Sequence, residues 1–262
     1  MNTVEIPTLS LVASYALLIF PLGLMLWYRV PIIGQTVLAV VRMTVQLLFV
    51  GLYLQVVFDL NNFWLTAAWL IVMVAVADLS IARGGGLRLR YLIVPLFLAV
   101  FLGTAIPTSF FLGPILRRPH LLDAQYAIPI AGMILGNCLR ADIIGLSSFY
   151  KSIHERQKAF HHALAQGASL MEATLPFLRD AFQSALAPTI ATIATIGLVS
   201  LPGMMTGVIL GGANPMTAIK YQIAIMLAIL SGTAITVFLA IRMTMKSSFT
   251  AYGILDNRIF KV

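Results

Sequence analysis

The 262-residue chain has one cysteine, Cys138. A single thiol excludes an internal disulfide framework and any CxxC-type metal site. Charge is also scarce. Only 10% of residues are Asp, Glu, Lys or Arg, against about 25% in a typical soluble domain. The acidic half is the poorer one, 9 residues against 17 Lys and Arg, which leaves a formal net charge of +8. In a membrane chain such an excess gathers in loops on the inner side, so the positions of the basic residues must be read before their sign suggests nucleic acid, and no nucleic-acid partner is expected. No GxxxxGK[ST] phosphate loop is present, so the chain does not cradle ATP by that motif and is read as a non-enzyme. There is no HExxH, and His161 and His162 are adjacent, which directs them to different helix faces. No lysine lies deep in the last apolar run, where retinal would attach; Lys220 stands at its edge. No basic segment precedes the first apolar run, since Glu5 is the only charge there, so no cleavable signal peptide is expected.

What the chain has in abundance is apolar surface: 60% of residues are hydrophobic and the mean hydropathy is +0.96. A bilayer core takes about 20 apolar residues per helix. Runs of that kind occupy residues 8–28, 32–58, 63–82, 91–112, 126–148, 185–210 and 218–241. They predict an all-α polytopic integral membrane protein of about seven spans, one transmembrane domain over 1–262. With the N-terminus outside, the inner side receives Arg29, Arg83, Arg88, Arg90, Lys151, Arg156, Lys158, Arg179, Arg242, Lys246, Arg258 and Lys261. The outer side receives Arg117, Arg118 and Lys220. That asymmetry predicts N-out, C-in and a multi-pass place in the cell (inner) membrane.

The longest piece outside the bilayer is then the cytoplasmic segment at about 149–184, between spans 5 and 6. Phe160, Leu164, Ala168, Met171, Leu175 and Leu178 recur there at helical spacing, interrupted by Gly167 and Pro176, which predicts helix–turn–helix. The run His161-His162-Ala163-Leu164-Ala165-Gln166-Gly167 resembles the coupling loop of ABC-transporter permeases, of form EAA-xxx-G, which fits a groove on the ATPase subunit. Ala163 and Gly167 match, and the two histidines stand where Glu-Ala would be. The bland alternative is an amphipathic helix lying on the membrane surface.

Gly203, Gly207 and Gly211 follow Pro202 at i, i+4, i+8 spacing, a bare helix edge beside a breaker. Pro129, Gly132 and Gly136, with Asn137 as a polar group at depth, repeat the theme in the fifth span. Both sets are read as helix-packing faces and a candidate gate; the alternative is static packing, because glycine is common in membrane helices. Arg42 and Gln46, at i and i+4, form a candidate polar pair on a pathway. Asp78, Arg140 and Asp142 are read as a structural ion-pair group. Met204 and Met205 are read as lipid or core contacts rather than metal ligands, and no metal-ligand set is assigned.

IPIAGMILGN at 128–137, QGAS…EA at 166–173, RDAFQSALAPTI at 179–190 and GLVSLPGMMTGVILGGANPMTAIKYQI at 197–223 together resemble the FetB-type permease family. These are ABC membrane subunits associated with iron export in bacteria and related to plant aluminium-tolerance proteins. The likeness is dense over 126–225. It implies a homodimeric permease that moves a metal ion or small solute, with ATP and magnesium bound on a separate ABC ATP-binding subunit and no cofactor in this chain. It also implies that Ala163, Gly167, Ala168, Glu172 and Ala173 belong to the ATPase-coupling loop. The alternative is a stand-alone secondary transporter or channel driven by an ion gradient. A seven-span receptor is disfavoured by the short outer loops.

Overall fold

The computed structural model describes residues 7–86, 88–117, 120–250 and 253–259. Glu5, Arg118 and Lys261, used in the charge reading above, lie outside the described residues, as does the side chain of Arg90. Among the described residues the secondary structure is helical, without a strand. Ten α-helices follow in order: α1 Thr8–Ser14, α2 Ile19–Trp27, α3 Ile33–Leu60, α4 Phe63–Gly84, α5 Leu89–Phe110, α6 Ala124–Glu155, α7 Gln157–Ala165, α8 Leu170–Thr195, α9 Gly203–Leu210 and α10 Pro215–Ser248. A short 3-10 turn joins α1 to α2, and a π-helical turn, Phe111–Ile115, extends α5.

Among the described residues, six helical stretches are long and apolar enough to cross a membrane: Thr8–Trp27, Ile33–Leu60, Phe63–Gly84, Leu92–Ile115, Ala124–Glu155 and Pro215–Ser248. The run at 185–210 does not form a single span. Helix α8 ends at Thr195, Ile196 turns extended, and Gly197 takes a left-handed φ of +84° that an L side chain resists. A turn closed by Gly197 N–H to the Ser200 carbonyl at 2.9 Å follows. Helix resumes only at Gly203. Pro202 therefore does not kink a continuous helix; it stands just before α9, where its missing N–H costs nothing. Its carbonyl accepts from Thr206 N at 3.0 Å and from the Thr206 hydroxyl at 3.1 Å.

The chain divides into two compact units. The first comprises residues 1–60 with 210–212. In it α1 and α2 bury no residue, and Tyr15 and Thr44 share a hydroxyl–hydroxyl bond at 2.5 Å. Leu9, Leu17, Phe20, Trp27 and Leu52 are each more than two-thirds exposed, as suits surfaces that face lipid.

The second unit, residues 61–209 with 213–262, holds the core. Here α4, α6 and α10 run in one direction and α5 and α8 in the other. Asn61 accepts from Ala124 N at one end, and Tyr150 bonds Thr244 and Ser248 at the other. The most extensive contact joins α5 to α10. It is made possible by glycine. A Cβ on Gly103 would lie 2.9 Å from the Thr236 nitrogen, and one on Gly232 would lie 3.1 Å from the Gly103 carbonyl oxygen and 2.8 Å from Ile134 Cγ2. Gly145 serves the junction of α6 with α8 and α10, where a Cβ would meet Val237 at 3.0 Å and Ala185 at 3.3 Å. Along α10 the residues at four-residue steps, Ala228, Gly232, Thr236, Ala240, Thr244 and Ser248, are all small and buried. Close approach of this kind supplies the dispersion contact that drives helix association in lipid.

Candidate functional site

Three places in the second unit carry the residues singled out from the sequence. The first is the hairpin of α7 and α8. Helix α7 closes with Gly167 N–H on the Leu164 carbonyl at 3.0 Å and Ala168 N–H on the Ala163 carbonyl at 3.1 Å. Those two bonds form a Schellman closure. Gly167 adopts φ +91°, the left-handed turn the closure requires. Helix α8 then starts with a capping box: the Ser169 hydroxyl accepts from Glu172 N, and Glu172 accepts from Ser169 N at 2.8 Å. The Ser169 hydroxyl and N–H hold the Glu172 carboxyl below its usual pKa. The box is therefore complete at neutral pH and opens only as pH falls through a range below that of an ordinary glutamate.

Ala163 and Ala168 pack on the main core cluster and Ala173 lies within it. Pro176 does not interrupt the segment as expected; it is accommodated within α8. His162 is exposed and His161 half-buried, so the adjacent histidines do face differently. The hairpin is fixed to the body of the unit at two points. Arg156, at the end of α6, donates to Asp180 at 2.8 Å and lies over the Phe177 ring. The segment 253–259 covers the hairpin's inner side, where Leu255 and Ile259 are buried and Gly253 stands against Leu164 and Leu170. Arg88 N–H on the Ile259 carbonyl, 2.7 Å, ties that segment to the start of α5. Sequence reasoning missed it, because seven residues with little periodicity give no helix or span signal.

The second place is a small polar cavity of about 80 Å³ between α6 and α8, lined by Asn137, Arg140, Ala141, Thr189 and Thr192 among others. The Asn137 amide donates to the Met133 carbonyl at 2.8 Å. Arg140 is exposed here and, among the described residues, forms no ion pair. The expected group of Asp78, Arg140 and Asp142 is thus not an ion-pair set. Residues two apart on a helix point about 200° apart, so Arg140 faces the cavity while Asp142 is turned into the core. Asp78 is buried on α4 with one carboxylate oxygen unpartnered.

The third place is the crossing of α5, α6 and α10. Cys138 and Asp142, one turn apart on α6, are fully buried. The Cys138 sulfur lies beside the Thr104 and Thr236 hydroxyls and within electrostatic reach of Asp142. The Thr104 hydroxyl and both Asp142 oxygens have no partner at hydrogen-bonding geometry. Thr236 stands close to Asp142, but its hydroxyl donates to the Thr233 carbonyl at 3.2 Å. Sequence reasoning passed over Cys138 as a lone thiol; the i, i+4 spacing to Asp142 was the signal.

The glycine face singled out on α9 is bare within this chain: a Cβ on Gly203 or Gly207 would meet nothing within 4 Å. Gly211 falls in the turn after α9. On α6, Gly136 is likewise open, Gly132 meets only the flexible Met73 methyl at 3.2 Å, and Pro129 is exposed. The packing expected between the two faces is not made, and α9 reaches a second core cluster, built around Phe111, Ile134 and Ile225, through Met204. Met205 is buried. Arg42 and Gln46, on α3 in the first unit, are exposed and make no hydrogen bond or ion pair among the described residues. Among the described residues no three His, Cys, Asp or Glu side chains converge on a point.

Comparison with known proteins agrees with the architecture. The chain is 34% identical over 209 residues to a UPF0014 membrane protein of Synechocystis sp., covering 80% of this chain and 81% of that one. It is 32% identical over 231 residues to Protein ALUMINUM SENSITIVE 3 of Arabidopsis thaliana, covering 87% and 82%. It is 30% identical over 211 residues to "Probable iron export permease protein FetB" of Escherichia coli, covering 80% of each. No solved structure matches. Residues 8–249 match the family described as "Uncharacterised protein family (UPF0014)", and the chain, a membrane protein of apolar helices, belongs to that family.

Proposed function

We propose that this chain is the membrane-spanning permease subunit of an ABC transporter, exporting a metal ion or another small solute, with ATP and magnesium bound on a separate subunit. The observation that carries the reading is the α7–α8 hairpin. It is capped at both sides of Gly167 and clamped to the bundle by Arg156 and by residues 253–259. Its second arm is α8, one unbroken helix of 26 residues, about 39 Å long, lying along α6. A push on such a hairpin moves a rod that reaches the polar cavity at Thr189 and Thr192. In this reading the hairpin faces the cytoplasm, N-out and C-in in the inner membrane, and two copies form the permease.

The basic residues support that sidedness. Arg83, Arg88, Lys151, Arg156, Lys158, Arg179, Lys246 and Arg258 lie toward the hairpin end of the second unit, and Arg117 and Lys220 toward the other. The printed name of the Escherichia coli relative, an iron export permease protein, supports a metal cargo.

The buried, unpaired oxygens of Asp78 and Asp142 favour a second reading, a stand-alone carrier driven by an ion gradient. One experiment separates the two. Tagged chain is solubilised in mild detergent from cells that express it with its own genomic neighbours, and reconstituted with and without any nucleotide-binding subunit recovered. ATP-dependent transport that requires that subunit supports the permease. Transport by the chain alone under an ion gradient supports the carrier.

A further inference from the structure

We propose that Cys138 and Asp142, with the hydroxyls of Thr104 and Thr236, form a binding site for a first-row divalent metal cation at the crossing of α5, α6 and α10; the inference rests on the reading of this chain as a permease that carries a metal ion. Three observations lead there. Asp142 is fully buried, yet neither carboxylate oxygen meets a donor. A carboxylate taken out of water without a partner is destabilising unless something completes it. Its neighbour one turn away is the chain's single thiol, and the sulfur stands beside the hydroxyls of Thr104 and Thr236. These groups meet where Gly103 and Gly232 bring α5 and α10 into backbone contact, close to halfway along α6.

The donor set is informative. One thiolate, one carboxylate and hydroxyl oxygens suit a borderline cation of the iron-to-zinc range rather than magnesium or calcium, which take oxygen alone. Binding requires the thiolate, so the metal–sulfur bond forms as the thiol proton leaves to water. Two strong donors hold a cation more weakly than the four of a structural zinc site. Weak retention is what a site on a transport path needs, since the ion must leave again. Thr104 also lines a cavity of about 380 Å³ between α4, α5 and α6, with Thr108 and Ser109 on the same wall. The cluster therefore adjoins open space on that side. The tight α5–α10 contact on the other is the element that would part to admit or release the ion.

The test uses purified full-length chain in detergent micelles, titrated with cobalt(II) chloride under anaerobic conditions. Cobalt bound to a thiolate gives an intense sulfur-to-metal charge-transfer absorption that a methionine thioether or a carboxylate does not give. Because Cys138 is the only cysteine, that absorption in the wild-type protein assigns the ligand without any variant. Cys138→Ser is expected to abolish it. Asp142→Asn is expected to weaken cobalt binding at least about tenfold, the scale on which even the outer partners of a metal ligand act. Iron(II) or zinc(II) is expected to displace the cobalt. Both variants are checked for monodisperse elution, and the wild-type spectrum decides the matter if either fails to fold. No charge-transfer absorption in folded wild-type protein, or equal cobalt affinity in wild type and folded Asp142→Asn, overturns the site. If an ATPase subunit co-purifies and drives transport while the wild-type spectrum stays blank, the site is wrong and the permease reading stands. If the absorption appears and no ATPase is ever required, the site stands and the ABC reading falls.

Discussion

Helix α10 passes two buried polar clusters on one edge, and they are satisfied to different degrees. Near its end, Tyr150 of α6 donates to Thr244 at 2.7 Å and shares a bond with Ser248 at 3.0 Å. Thr244 in turn donates to the Ala240 carbonyl and Ser248 to the Thr244 carbonyl. Two turns earlier on α10, around Thr236, the Thr104 hydroxyl and the Asp142 carboxylate stand without partners. Both clusters are equally dry. A closed network fixes two helices together, while an open one of the same burial destabilises the fold and persists only where something else requires it. The closed cluster lies at the hairpin end, beside the segment that carries residues 253–259. The open one lies midway along the helices.

That contrast can be broken in several ways. The largest effect is expected where the helices cross. Gly103→Val drives a side chain into the Thr236 backbone, which cannot retreat as a side chain can, and should cost about 3 kcal/mol or more, read as a lowered melting temperature in detergent. A small change there would mean that α5 and α10 do not approach as described. Tyr150→Phe should cost about 1 kcal/mol, because Thr244 and Ser248 keep their carbonyl partners and lose only the phenol. A similar loss, about 1 kcal/mol, is expected for Ser169→Ala, which removes the α8 cap; it should appear as faster amide exchange at residues 170–173.

Asp142→Asn should go the other way, leaving the melting temperature unchanged or raised, since a buried unpaired acid is replaced by a neutral amide. If it destabilises the fold as Tyr150→Phe does, the two clusters are alike and the contrast fails. Smallest of all, Gly207→Leu should leave melting within about 0.5 kcal/mol, as the position is exposed and a Cβ there meets nothing within 4 Å. Transport retained in that variant would also remove α9 from any gate.

The apolar runs were readable because a lipid-crossing helix needs only length and hydropathy, and six of the seven appear where expected. The seventh fails for a local reason that hydropathy cannot see. Gly197 takes a left-handed turn and divides an apolar run into the end of α8 and a short α9. The hairpin was legible from Gly167, whose left-handed φ is what a helix–glycine–helix turn demands. The packing glycines were not. Reading for repeated Gly-xxx-Gly favoured Gly203, Gly207, Gly132 and Gly136, whereas the structure uses single glycines, Gly103, Gly145 and Gly232. In α10 the other small positions are Ala, Thr and Ser, so the repeat is one of size and not of residue type. Opposite charge inside a span suggests pairing of Arg140 with Asp78 or Asp142, but helix geometry sends Arg140 and Asp142 to opposite faces.

The segment at 253–259 offers a natural reporter of motion. Arg258 has an exposed side chain held in a fork with Asp256, and the very next residue, Ile259, is buried and takes the Arg88 N–H on its carbonyl. Trypsin needs an extended, unbonded stretch to cut after arginine. With Ile259 seated the bond following Arg258 is shielded; if the hairpin moves as the proposed function requires, that bond comes free. The fraction of chains nicked at that bond after a fixed time would then measure how long the segment stays unseated, without any label attached.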